Sequence, residues 1–284
     1  MSAIVILTDS STDVELSLAN EWGIEVVPLK ISFGEETFID GVTINPREFT
    51  RRLENGETPV TSQPSPGEFA DRFKEIVEKH GNDVTIIGVM MSSQLSGTYQ
   101  SAVIGKSVMD ENLDITIIDS KKGSMFAGII AVEAAKMARA GASKQQILDK
   151  VEYMMVNQVN FIVLDTLDYL YKGGRIGRAS ALFGSLINIK PILGVDENGS
   201  VFPIAKVRGH KKAVSRMMEE IHKFAHGAKV KIAVLHINAL EEAKVIKEQL
   251  CREYNVLEAY LSEIGPVVSA HVGPGGVGCV VVKE

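Results

Sequence analysis

Short apolar runs alternate with capped amphipathic segments through the first half of the chain, which is the pattern of βα units feeding a mostly parallel sheet. Ala3 to Leu7 reads as a first strand, too short for a signal-peptide core and lacking a basic flank. Thr12-Asp13-Val14-Glu15 has capping-box spacing and predicts a helix that Gly23 stops. A second apolar run spans Ile24 to Phe33, then a helix opens at Asn45-Pro46 and closes at Gly56. Thr58 to Pro64 is expected to be extended, because proline restricts the residue before it. Ser65-Pro66-Gly67-Glu68 is a second capping box, opening a helix to His80. Strands at Val84 to Met90 and Ile115 to Ile118 and helices at Met125 to Ala140 and Ser143 to Asn157 complete this half.

The pattern changes at Asn160, and the domain boundary is placed near 158. A strand is followed by two short helical pieces around Lys172 to Arg178, including a helix over Ala179 to Ile189, and by a strand at Pro191 to Val195. Asn198-Gly199 marks a hairpin turn. Strand-helix alternation resumes with Lys231 to Ile237, Leu240 to Glu253 and Leu257 to Glu263, and Gly278 to Val282 closes the chain.

Composition narrows the class. With 284 residues, 45% of them apolar, the chain can bury two cores, and no apolar stretch reaches the roughly 18 residues a membrane span needs. Thirty basic against 36 acidic side chains give a net charge of −6, which argues against general nucleic-acid binding. Cys251 and Cys279 fall in helix and strand patterns, so neither a disulfide framework nor a Cys-based zinc site is suggested, and a reducing cytoplasm fits.

In an open parallel sheet, ligands bind where the loops after the strand ends meet. Thr8 to Ser11, Ser92 to Thr98 and Asp119-Ser120 are such loops, and Thr61 to Ser65 adds a fourth hydroxyl cluster. Each alone reads as helix capping; together they point to binding of an anion. Lys172 to Arg178 lacks the Gly-Lys-Ser/Thr ending of a phosphate loop, so it reads as a tight turn, with Arg175 as a possible partner contact. Gly273 to Gly278 resembles a dinucleotide fingerprint but is followed by a strand. His222 and His226 have metal-ligand spacing without a third ligand, so no metal is expected.

Thr61-Ser62-Gln63-Pro64-Ser65, Ser92 through Ala102 and Leu170 through Leu193 resemble the DegV family of bacterial fatty-acid-binding proteins. Thr8 to Ser11, Gly265-Pro266 and His271 to Gly275 match the same pattern in order, so the resemblance spans nearly the whole chain. One mild departure is Ser10-Ser11-Thr12, where many relatives have a single Ser-Thr pair. The resemblance implies a non-catalytic lipid carrier that presents a bound acid, such as palmitate, stearate or oleate, to a separate ATP-using fatty-acid kinase subunit. It implies Thr61 and Ser93 as carboxylate ligands with His271 close by, and needs no cofactor. Leu182, Phe183, Leu186 and Ile187 form the candidate pocket wall.

The expected fold is α/β in two domains. Residues 1–158 form a Rossmann-like three-layer domain with a mostly parallel sheet, residues 159–284 a two-layer α/β domain with a mixed, largely antiparallel sheet, and the ligand lies between them. Burying the tail of a sixteen-carbon acid supplies roughly 10 kcal/mol before ordering costs, at about 0.8 kcal/mol per methylene. A hydroxyl donating to a carboxylate adds only about 1.5–3 kcal/mol, so the hydroxyls set orientation. Two other readings stay open: a serine hydrolase using Ser93 and His271, with Asp9 or Asp119 as orienter, and a binding module for another anionic small molecule.

Overall fold

The first half builds strands β1 (Ile4–Asp9), β2 (Ile24–Val27), β3 (Lys30–Phe33), β4 (Glu36–Ile39), β5 (Pro59–Ser62), β6 (Thr85–Met90) and β7 (Asp114–Asp119). Its helices are α1 (Leu16–Trp22), α2 (Pro46–Glu54), α3 (Pro66–His80), α4 (Thr98–Ser107), α5 (Met125–Arg139) and α6 (Lys144–Val156). From Gln158 onward come β8 (Gln158–Val163), α7 (Asp168–Lys172), β9 (Ile189–Val195), β10 (Val201–Arg208), α8 (His210–Ala225), β11 (Lys229–His236), α9 (Leu240–Glu253), β12 (Asn255–Glu263), α10 (Pro266–Val272) and β13 (Val277–Lys283). This computed structural model describes residues 3–183 and 189–284.

The chain is a two-domain α/β protein with one parallel sheet and one mixed, largely antiparallel sheet. The parallel sheet has the order β2-β1-β6-β7. The mixed sheet has the order β10-β9-β8-β13-β11-β12, in which only β11 and β12 run parallel. A third, antiparallel sheet, β4-β3-β5, stands at the edge and holds Thr61 opposite Ile31.

Alternation along the strands decides which layers meet. Val5 and Leu7 join Phe69, Phe73 and Ile76 of α3 on one face of the parallel sheet. Ile6, Ile87 and Val89 turn to the other face and meet α5. In the mixed sheet, Ile232 and Val234 pack on α8 and α9. Ala233, Leu235, Val280 and Val282 share a core with α5. A helix buried against sheets on two sides must be apolar all round, which is why Met125 to Ala135 carries almost no polar side chain. Gly128 lets α5 approach the backbone of Thr12, since a methyl group there would meet the Thr12 carbonyl oxygen.

Three local expectations fail. The box at Thr12 to Glu15 does not form: Asp9 instead caps a 3-10 turn over Ser10–Thr12, Asp13 takes a left-handed conformation (φ 52), and α1 starts at Leu16 without a side-chain cap. The run Ile24 to Phe33 divides into β2 and β3. Of the helix expected over Ala179 to Ile189, residues 184–188 lie outside the described residues; the part before them is a short 3-10 turn, Gly177–Leu182, and Ile189 already belongs to β9. By contrast, the Ser65/Glu68 box opens α3 with both reciprocal bonds present.

Candidate functional site

Two signature segments are joined by one side chain and one missing side chain. Gln63, at the end of the Thr-Ser-Gln segment, lies over Gly97 and donates from Nε2 to Ser101 Oγ at 3.1 Å. Any Cβ at position 97 would overlap the Gln63 amide, so glycine there is a condition of the contact. Ser92 makes a different joint: its hydroxyl donates to the Gly199 carbonyl at 2.8 Å, tying the loop after β6 to the β9–β10 hairpin.

Between these joints lies a cavity of about 350 Å³, at the small end of the usual range for ligand pockets. Its walls come from both sheets: Leu29, Met91 and Phe126 from one side, Ile162, Leu164 and Leu193 from the other. Val267, Val268 and Val272 of α10 also line it, and its polar lining groups are Thr61, Ser62, Gln63, Ser96, Ser124, Arg175 and His271.

Thr61 Oγ1 and His271 Nε2 are 2.8 Å apart. Burial, with a smaller contribution from the nearby Arg175 charge, pushes the imidazole down to about 4, so it is neutral near pH 7. Its Nδ1 is buried with no hydrogen-bond partner among the described residues. That nitrogen faces Gly173, where a methyl group would collide with the ring. Arg175 donates from Nε to the Leu95 carbonyl (3.1 Å) and from Nη1 to the Gly173 carbonyl (2.7 Å).

Helix α10 sets the position of His271, and two buried carboxylates set the position of α10. Asp13 accepts from the Gly265 N–H at 2.9 Å and from the Ser124 hydroxyl. Asp40 accepts from the Val267 N–H at 3.3 Å and from Ser10 Oγ at 2.7 Å. Desolvation raises the Asp40 carboxyl to about 6 and raises Asp13 well above the usual range. A carboxyl raised in the folded state stabilises the fold fully at low pH, and that contribution is lost as pH rises through the folded value. Between pH 7.5 and 4.5, wild type should therefore gain about 1–3 kcal/mol over Asp40→Asn in urea unfolding. A pH-independent difference would show that Asp40 keeps an ordinary carboxyl.

The structure brings together Thr61 and His271 but not Ser93. Ser93 is exposed, donates its hydroxyl to Asp119 Oδ2 at 2.6 Å and does not line the cavity; Ser96 does. Ser93 and His271 are bonded to different partners, so the nucleophile–base pair of a hydrolase is not formed. Arg175, expected at a partner surface, is half-buried and lines the cavity. Leu182 packs on the cluster behind Leu164 and Leu193, while Phe183 is exposed and stacks on Tyr171 with centroids 3.9 Å apart. Leu186 and Ile187 lie outside the described residues. His222 contacts the Tyr254 hydroxyl at 3.2 Å, and no metal-binding group of His, Cys, Asp or Glu occurs among the described residues. No helix among them is long and apolar enough to cross a membrane.

The functional part sequence reading missed is α10 itself. Its signals were present: Gly265 as N-cap, Pro266 at the first helical position and Gly273 beyond the end.

A family model described as an uncharacterised protein of the DegV family matches residues 3–284. A DegV domain-containing protein of Caldanaerobacter subterraneus subsp. tengcongensis is 35% identical over 279 residues, 98% of each chain. A solved structure described as fatty acid binding of a DegV family protein from Thermus thermophilus superposes with a TM-score of 0.91 at 30% identity, covering 99% of this chain and 100% of that one. The crystal structure of DegV from Bacillus subtilis, described as a fatty acid binding protein, gives a TM-score of 0.89 at 32% identity, with both chains covered completely.

Proposed function

The chain belongs to the DegV family, and from that membership we propose that it binds one long-chain fatty acid between domains 1–158 and 159–284 and presents the carboxylate to a separate kinase subunit. The observation that carries this reading is the cavity itself, lined mostly by apolar side chains, with Thr61, His271 and Arg175 gathered among its few polar groups. The tail supplies affinity and the polar groups supply direction.

A neutral His271 that donates from Nε2 to Thr61 frees the threonine proton to point at the acid. Thr61, Ser96 and Arg175 are then the groups for the carboxylate, and the Arg175 charge keeps it from being buried unpaired. Ser93 acts by fixing its loop through Asp119. In the hand-over, one carboxylate oxygen attacks the terminal phosphorus of ATP held by the partner. The bond from that phosphorus to ADP breaks, its electron pair leaves on ADP, and an acyl phosphate remains. Such transfer depends mainly on positioning, which a carrier can provide.

Native mass spectrometry after mild purification should show an adduct with the mass of a sixteen- or eighteen-carbon fatty acid. Protein free of adduct that also fails to take up palmitate or oleate would overturn the reading.

A further inference from the structure

The mixed sheet is split along part of one seam. β8 starts at Gln158, yet it pairs with β9 only through Ile162 opposite Leu193 and Val163 opposite Ile192. Ahead of Ile162 the Asn160 side chain bridges the gap in place of a strand: its Oδ1 accepts from the Val195 N–H at 2.6 Å and its Nδ2 donates to the Val195 carbonyl at 3.2 Å. Beside this split lies a cavity of about 760 Å³ that shares only Val195 with the cavity described above.

Part of its lining is apolar: Phe161, Phe202 and Ile204 from strands, Met155 from α6 and Phe224 from α8. Two polar side chains of the lining have unused capacity. Lys122 is only 5% exposed, and its Nζ donates to the carbonyls of Asp196 (3.2 Å) and Val195 (3.5 Å) while making no ion pair among the described residues. Gln158 donates from Nε2 to the Met154 carbonyl at 3.0 Å, but its buried Oε1 has no partner among the described residues. A buried ammonium without a counter-ion and a buried carbonyl oxygen without a donor are each costly. A ligand that brings an anion to the first and an N–H to the second offsets both costs.

The remaining charges limit the anion to a single charge. Arg178 pairs with Asp196 at 3.3 Å and Lys223 with Glu220 at 2.9 Å, which leaves Lys121 and Lys122 against Glu197 in the lining. The three phenylalanines favour a flat ring. We propose that this cleft is a second ligand site, for a small aromatic monocarboxylate that carries one ring N–H, with Lys122 holding the carboxylate and Gln158 accepting from the N–H. The site is independent of the carrier reading, because neither residue borders the other cavity.

Titration calorimetry with indole-3-acetate and two comparison ligands tests the proposal. Indole-3-acetamide lacks the charge, and naphthalene-1-acetate lacks the N–H. Indole-3-acetate should bind one to one, and each comparison ligand about tenfold more weakly, the loss expected for one hydrogen bond to a charged or buried group. Lys122→Met should bring indole-3-acetate and its amide within about twofold of each other, and Gln158→Leu should do the same for indole-3-acetate and naphthalene-1-acetate. No binding of indole-3-acetate, equal affinity for either comparison ligand, or a preference left unchanged by its variant would overturn the site. The ligand comparison on wild type decides the matter even where a variant fails to fold.

Discussion

Shortening the acid from sixteen carbons to ten is expected to weaken binding by roughly three orders of magnitude. Six methylenes at about 0.8 kcal/mol each amount to roughly 5 kcal/mol, and every 1.4 kcal/mol is about tenfold. The wall there is hydrocarbon: Leu164, Leu193, Phe126 and Val267 line the cavity and are all buried. The head-group end contributes a constant that does not change with chain length. A calorimetric series of saturated acids measures the slope directly. A flat series would place affinity in the polar groups and contradict the division of labour between tail and head.

The largest loss of stability is expected from Asp13→Ala. Its carboxylate is the acceptor for both the Gly265 N–H and the Ser124 hydroxyl, and the residue is buried. Removing it strands two donors at about 1–3 kcal/mol each, so roughly 2–6 kcal/mol in all. That corresponds to about 10 °C or more in melting temperature for a chain of this size. Because Gly265 starts α10 and His271 lies near its end, palmitate affinity should fall with stability in the same variant. Asp13→Asn keeps an acceptor and should recover much of both. Wild-type melting in Asp13→Ala would mean that the Gly265 contact does not hold the helix.

Much of the scaffold was legible in the sequence because it rests on local rules. Capping at Ser65 and Ser143, the proline at position 46 and the apolar runs of β1 and β6 each report their own geometry without help from distant residues. Thr61 and His271 were legible as well, but only through motif resemblance, since 210 positions separate them in sequence. What was not legible depends on turns that reverse direction. Between Ser92 and Gly97 the chain folds back on itself, with both Leu95 and Ser96 N–H groups donating to the Ser92 carbonyl, so no periodicity tells which serine faces inward. The roles of Asp13 and Asp40 were hidden for a related reason. Their partners, at 265 and 267, lie more than two hundred positions downstream, and a buried carboxylate has no signature of its own in one sequence.

Helix α5 has a consequence for how the molecule can come apart. Its side chains fill a single core that also contains Ile6 and Val89 of one sheet and Leu235 and Val280 of the other. A boundary near 158 divides the strands between sheets without dividing that core. Each half expressed alone would carry a bared oily surface, and the two sheets share one cooperative fate on heating or in denaturant. The cavity is thus held in a body without a natural seam, so that a fatty acid bound there as proposed would be enclosed by the same cohesion that keeps the polypeptide folded.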